Sequence, residues 1–205
     1  MTPPEPARLK GFFAHGAPIC VIVRRGPSKL TRLIRWETDT DVFTPGQWFR
    51  GKVNYATMSW DGRYMAIGIM GAPVRSPDES EQVAVLCKPP FVTGIEAWVG
   101  GLCMNTLAFL PGDVLTVPEF AKPKHLAQTR SPFKRIDDYQ NCKRDHDWVI
   151  DASNGPAAGT DHLGRKITFE AGCIYVETEK GRTLLLDTNP MKFEPIRAPE
   201  WACDW

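Results

Sequence analysis

The chain has 205 residues, a formal net charge of +1, 42% hydrophobic residues and 24% charged residues. That balance excludes a global field that would steer it onto nucleic acid or an anionic membrane, and no apolar run approaches the roughly 20 residues of a helical membrane span. The opening "MTPPEPARLKGFFAHG" lacks a long apolar core and does not read as a secretory signal. The expectation is a soluble, cytoplasmic, single-domain protein, with residues 1–11 as a flexible N-terminal segment.

Eighteen prolines and seventeen glycines are spread along the whole length and interrupt every helical reading. Short β-rich runs replace it. In chain order they are "ICVIVRR" (19–25), "LTRLIRW" (30–36), "YATMSW" (55–60), "YMAIGIM" (64–70) and "QVAVLC" (82–87). Later come "TLAFL" (106–110), "DVLTV" (113–117), "KITFE" (166–170), "CIYVET" (173–178) and "TLLLD" (183–187). Most alternate or are β-branched, and turn residues bound nearly all of them. An all-β fold follows, and "EKGRTLLLD" predicts a hairpin reversing at Lys180-Gly181.

Two stretches break the pattern. Residues 71–81, "GAPVRSPDESE", read as a loop, and 118–147 as a charged surface insertion with a short helix around Phe133 to Cys142. The run "VIVRRGPSKLTRLIRW" predicts a hairpin with Val, Leu and Ile inside and Arg24, Arg25, Lys29, Arg32 and Arg35 on an outer basic face. The six cysteines show no CxxC pair, which disfavours a zinc site. Cys20, Cys87, Cys103 and Cys173 sit in or beside apolar runs and read as buried thiols.

One unit recurs. A strand–turn–strand pattern appears at "MSWDGRYMAIGI", "LAFLPGDVLTV", "TDHLGRKITFEAG" and, more weakly, "FFAHGAPICVIV". Gly16, Gly62, Gly112 and Gly164 stand about 46, 50 and 52 residues apart, a period that marks β-propeller blades. The run "SWDGRYMAIGI" resembles the strand–turn–strand element of WD40-like and TolB-like propellers, whose blades carry "SPDGRxLA". The match lies at Ser59, Asp61, Gly62, Arg63 and Ala66, with Trp60 standing where the family has proline. The chain as a whole is similar in layout to uncharacterised bacterial propeller-like proteins. That resemblance implies a small propeller-like assembly of about four blade-like repeats; an irregular β-sandwich or barrel is the alternative.

No nucleophile elbow, P-loop, dinucleotide fingerprint or HExxH occurs, so no catalytic residue, metal or cofactor is nominated. The first reading is a non-catalytic interaction protein that presents loops to a protein partner, in one form a toxin-neutralising immunity or inhibitor protein. Candidate contacts are Trp48, Phe49 and Arg50 in "PGQWFRGK", because Trp and Arg dominate interface hot spots. Asp145, His146, Asp147 and Trp148 in "RDHDW" join them. Acidic loops at 37–41, 78–81 and 145–151 suit a basic partner. Two alternatives stand beside this: a metal-dependent hydrolase assembled from Asp145, His146, Asp147, Asp161 and His162, and a carbohydrate- or small-ligand-binding lectin using tryptophan faces.

Overall fold

The computed structural model describes residues 5–26, 28–71, 82–99, 107–112, 114–117, 124–125, 131–136 and 149–205. Seventeen strands are seen among them: β1 (Arg8–Phe13), β2 (Ile19–Arg25), β3 (Leu30–Glu37), β4 (Val42–Arg50), β5 (Lys52–Met58), β6 (Met65–Met70), β7 (Gln82–Cys87), β8 (Gly94–Val99), β9 (Ala108–Leu110), β10 (Val114–Thr116), β11 (Lys124–His125), β12 (Lys134–Ile136), β13 (Val149–Asp151), β14 (Ala157–Thr160), β15 (Lys166–Glu170), β16 (Cys173–Thr178) and β17 (Gly181–Asp187). The one helical element among these residues is a 3-10 turn at Glu200–Ala202. The protein is all-β.

Four sheets result: β13-β1-β2-β3-β4, β11-β8-β7-β6-β5, β12-β10-β9 and β14-β15-β16-β17. Their pairings are antiparallel except β10 with β12. Each of the four recurring turns joins two strands at the start of a different sheet: β1–β2, β5–β6, β9–β10 and β14–β15. Gly62, Gly112 and Gly164 have φ of 70, 80 and 74°, a conformation in which a side chain is strained. The reversal before Gly181 joins β16 to β17 as expected.

Three cores stack the sheets in the order fourth, first, second, third. Leu9, Ile22, Ile34, Trp36, Ile167, Phe169 and Ile174 fill the space between fourth and first. Val21, Leu33, Val53, Met65, Ile67 and Cys87 lie between first and second, and Tyr55, Tyr64, Leu86, Trp98, Leu115 and Phe133 between second and third. The first sheet is therefore covered on both faces, which is why β2 is almost continuously apolar. Burial pushes the Cys20 thiol well above its ordinary pKa and that of Cys87 up to about 12, so both act as small hydrophobes.

The chain ends as a strap over all four sheets. After β17, Phe193 meets Trp48 edge-on and Glu194 pairs with Arg32. Gln47 Nε2 donates to the Ile196 carbonyl at 3.2 Å. Farther on, Trp201 packs on Phe91, and Trp205 closes against Tyr64 and Phe133 with ring centroids 5.8 and 6.0 Å away.

Three expectations change. Residues 8–11 are not a flexible segment but the start of β1, because Leu9 is buried and pairs across to β2. The 118–147 excursion contributes β11 to the second sheet and β12 to the third; Lys134–Ile136 is strand where a helix was expected. Phe133 is buried there in contact with Tyr64 and Phe109, and burying so large a ring fixes the segment. The basic hairpin has no outer face at Arg24 and Arg32, each only 3% exposed. Both share the parity of Ile22 and Ile34, so they point to the covered side of the first sheet. The expected loop falls, from residue 72 onward, outside the described residues.

Candidate functional site

Three sheet edges meet at a cleft of about 310 Å³. β5, β9 and β13 are the terminal strands of the second, third and first sheets. Their residues Asn54–Thr57, Ala108–Leu110, Val149 and Asp151 line it, with Lys10 and Phe12 of β1. Terminal strands carry backbone N–H and C=O groups on their open side, so the cleft is polar in its backbone and mixed in its side chains. His15, Trp60 and Pro111, from three of the recurring turns, form the remainder of the lining.

The turn that carries Trp60 shows what each residue of "SWDGR" does. Ser59 Oγ donates to Asp61 at 2.7 Å and accepts from Tyr64 N at 2.9 Å; Asp61 also accepts from Arg63 N at 3.0 Å. Gly62 supplies the left-handed backbone, and Arg63 pairs with Asp61. Burial works against ionising Asp61, but the Arg63 amide, Ser59 and the Arg63 guanidinium together hold its pKa below the ordinary carboxylate value. Only the Trp60 side chain is left over by this bonding. Its indole lies flat on the His15 ring, centroids 5.5 Å apart and planes 14° from parallel, and stays 49% exposed. The Gly16 amide donates to the Trp60 carbonyl at 2.8 Å, and a Cβ at Gly16 would overlap the indole.

On the cleft wall, Lys10 Nζ stands 2.7 Å from Asp151 Oδ2. Burial opposes the Asp151 charge, yet Lys10 and Ser153 outweigh it and its pKa is lowered. The two charges neutralise each other, leaving an ion pair that both donates and accepts.

The turn at Asp161 repeats the scheme at the joint between fourth and first sheets. Asp161 accepts from the amides of Leu163 and Arg165, each at 2.9 Å, and from Arg165 Nε at 2.7 Å. Arg165 continues to Asp41 and to the Thr38 carbonyl. Arg165, ahead of burial, holds the Asp41 pKa below the usual carboxylate range. His162 Nε2 lies 2.7 Å from the Ala14 carbonyl and donates to it. Asp161 and His162 are thus occupied in holding the turn, and among the described residues no cluster of three metal-ligating side chains occurs.

Of the residues nominated from sequence, Trp48 is half-buried beneath the strap. The guanidinium carbons of Arg24 and Arg32 stand 5.1 and 5.3 Å from its ring centroid. Phe49 packs on the core between first and second sheets, and Arg50 is exposed at the end of β4. Asp145, His146, Asp147 and Trp148 lie outside the described residues, as does Cys103. The cleft itself escaped the sequence reading. The available signals were Asn54 and Thr57 within "KVNYATM" and the Trp60 departure from the motif.

No family model and no curated protein matches the chain. A crystal structure of an uncharacterized protein from Listeria monocytogenes EGD-e is similar over 90% of this chain at 10% identity, with a TM-score of 0.40. The chain spans about half, 54%, of that protein's length.

Proposed function

We propose that the protein is a non-catalytic binding module, that its four sheets act as the blades of a small propeller-like assembly, and that a small polar ligand is taken up where their inner edges meet. The observation that carries the reading is Trp60, half-exposed and backed by His15 at the mouth of a cleft walled by three terminal strands. A volume of about 310 Å³ lies within the range of small-molecule sites, and the lining sets convergent polar groups among apolar ones, as such sites do. Among the described residues, the lining's one carboxylate and one amine are paired with each other.

The partner-protein form of the reading rests on Trp48, Phe49, Arg50, Asp145, His146, Asp147 and Trp148 and on the acidic loops, of which 78–81 and 145–148 lie outside the described residues. Trp48 is engaged by Phe193 and two arginines, and Asp41 and Asp151 by Arg165 and Lys10. Among the described residues, the cleft therefore offers more than Trp48 and these two carboxylates do. The test is a ligand-observed NMR screen of a mixed library of polar small molecules against the wild type and Trp60→Ala. Hits that vanish in a variant with unchanged circular dichroism support the reading; a library without any Trp60-dependent hit ends it.

A further inference from the structure

We infer that the ligand of this cleft is a neutral saccharide of one or two rings, with a sugar face stacked on Trp60 and hydroxyls on Asn54, Thr57 and the Lys10–Asp151 pair. The inference rests on the cleft being the binding site, as proposed above, and adds the chemical class of what binds.

The platform comes first. His15 stacks, offset, on the Trp60 indole, and the ring lies close against Gly16 of the same turn. The exposed part of the ring is flat and electron-rich. A pyranose offers the matching surface, a patch of C–H groups carrying slight positive charge. Charge comes second. The ionised lining groups Lys10 and Asp151 stand 2.7 Å apart and cancel. A phosphate or carboxylate would compete with Asp151 for Lys10 and be repelled by that carboxylate beside it. A hydroxyl donates and accepts at once, so it bonds to either member without separating them. Geometry comes third. Asn54 and Thr57 lie on terminal strand β5, facing terminal strand β9 across the cleft, so an amide, a hydroxyl and open-side backbone groups lie close together on the wall. Sugar hydroxyls, each both donor and acceptor, can meet all three. Nucleosides share the stacking but need the wall to match a base edge, so they are the competitor to test.

Tryptophan fluorescence and calorimetry decide between them. The saccharide probes are glucose, galactose, mannose, N-acetylglucosamine and their β-1,4-linked disaccharides; the comparison probes are adenosine, adenosine monophosphate and citrate. The expected result is saturable binding of at least one saccharide, insensitive to salt because the ligand is uncharged. Affinity should fall about tenfold or more in Trp60→Ala and in Asn54→Ala, whereas Trp60→Phe retains most of it. Trp60-dependent binding of adenosine with no saccharide bound would overturn the saccharide assignment and leave the cleft reading standing. Saccharide binding unaffected by both alanine variants would place the sugar elsewhere and overturn the inference. If no probe binds in a Trp60-dependent way, the saccharide assignment falls, and the wider library screen decides whether the cleft reading falls with it.

Discussion

Trp48 and Trp60 begin from similar local sequence, each a tryptophan close to a glycine and an arginine at a turn or strand end, and they finish in opposite environments. Trp48 lies on β4, the terminal strand of the first sheet, with Arg24 and Arg32 near its ring, Phe193 against its edge and its Nε1 buried without an acceptor among the described residues. Trp60 lies in the β5–β6 turn of the second sheet and keeps half its surface in solvent. What separates them is distant in sequence. The C-terminal strap crosses one and leaves the other open, so the environment of Trp48 is decided near residue 193.

Removing the strap is the strongest way to break this contrast. A chain ending at Pro190 loses Phe193 from Trp48, Glu194 from Arg32 and Trp205 from the Tyr64–Phe133 cluster. The expected cost is about 5 kcal/mol or more, on the order of a whole domain's net stability. Urea unfolding of the truncated chain should show no cooperative transition, or one displaced far toward zero denaturant. A midpoint near that of the full chain would mean that the strap only decorates the sheets.

The two aspartate turns repeat the contrast in charge. Asp161 is fully buried and Arg165 ties it to Asp41 of the neighbouring sheet, whereas Arg63 is largely exposed beside Asp61. Arg165→Ala strands a buried carboxylate and should cost about 3 kcal/mol; Arg63→Ala should stay within about 0.5 kcal/mol. The Asp41 pKa is lowered in the folded protein, so its part of this stability is present above the unfolded carboxylate pKa. It fades as pH falls through the lowered value. The gap between wild type and Arg165→Ala should narrow in acid, read from unfolding midpoints across a pH series. For the tryptophans, Trp48→Ala should cost about 2–3 kcal/mol and Trp60→Ala under about 1 kcal/mol; the reverse order would refute their assignment to inside and outside.

The strands legible in sequence are those whose neighbours are local. "ICVIVRR", "QVAVLC", "KITFE" and "CIYVET" coincide with β2, β7, β15 and β16, since uninterrupted β-branched runs bounded by turns need no distant information. β4 was hidden by Pro45-Gly46, which a terminal strand tolerates because one side carries no partner. β12 and β13 are three residues long and pair with β10 and β1 from far along the chain. The cleft was illegible for the same reason, since its wall joins Lys10, Asn54, Phe109 and Asp151, brought together only when the sheets stack. Arg24 and Arg32 misled because alternation alone cannot say that both faces of their sheet are covered.

That cover makes a smaller prediction at Arg24. Burial, then the neighbouring Arg32, lowers its pKa from the ordinary guanidinium value, and Glu194 is bonded to Arg32. Replacing Arg24 with Met keeps the long apolar stem and removes a desolvated, repelled charge. Stability should change by no more than about 1 kcal/mol. A loss above about 2 kcal/mol would show that the Arg24–Trp48 contact outweighs the burial it requires.

The finest test of the outward position is Gly16→Ala. Gly16 is not left-handed, so alanine suits its backbone, and the nearest atoms to the added methyl all belong to the Trp60 indole. Trp60 is half-exposed and has room to swing away, so stability should fall by under about 1 kcal/mol while the His15–Trp60 stack is lost. A double-mutant cycle isolates the cause. Once Trp60→Ala is present, Gly16→Ala should cost almost nothing further, because the clash has gone. If the methyl is equally costly with and without the indole, Gly16 is required by something other than Trp60, and the platform is not held in place by the turn beneath it. If the two substitutions couple, the glycine at the head of the weakest of the four recurring turns is there to let a neighbouring sheet lay its tryptophan flat at the mouth of the cleft.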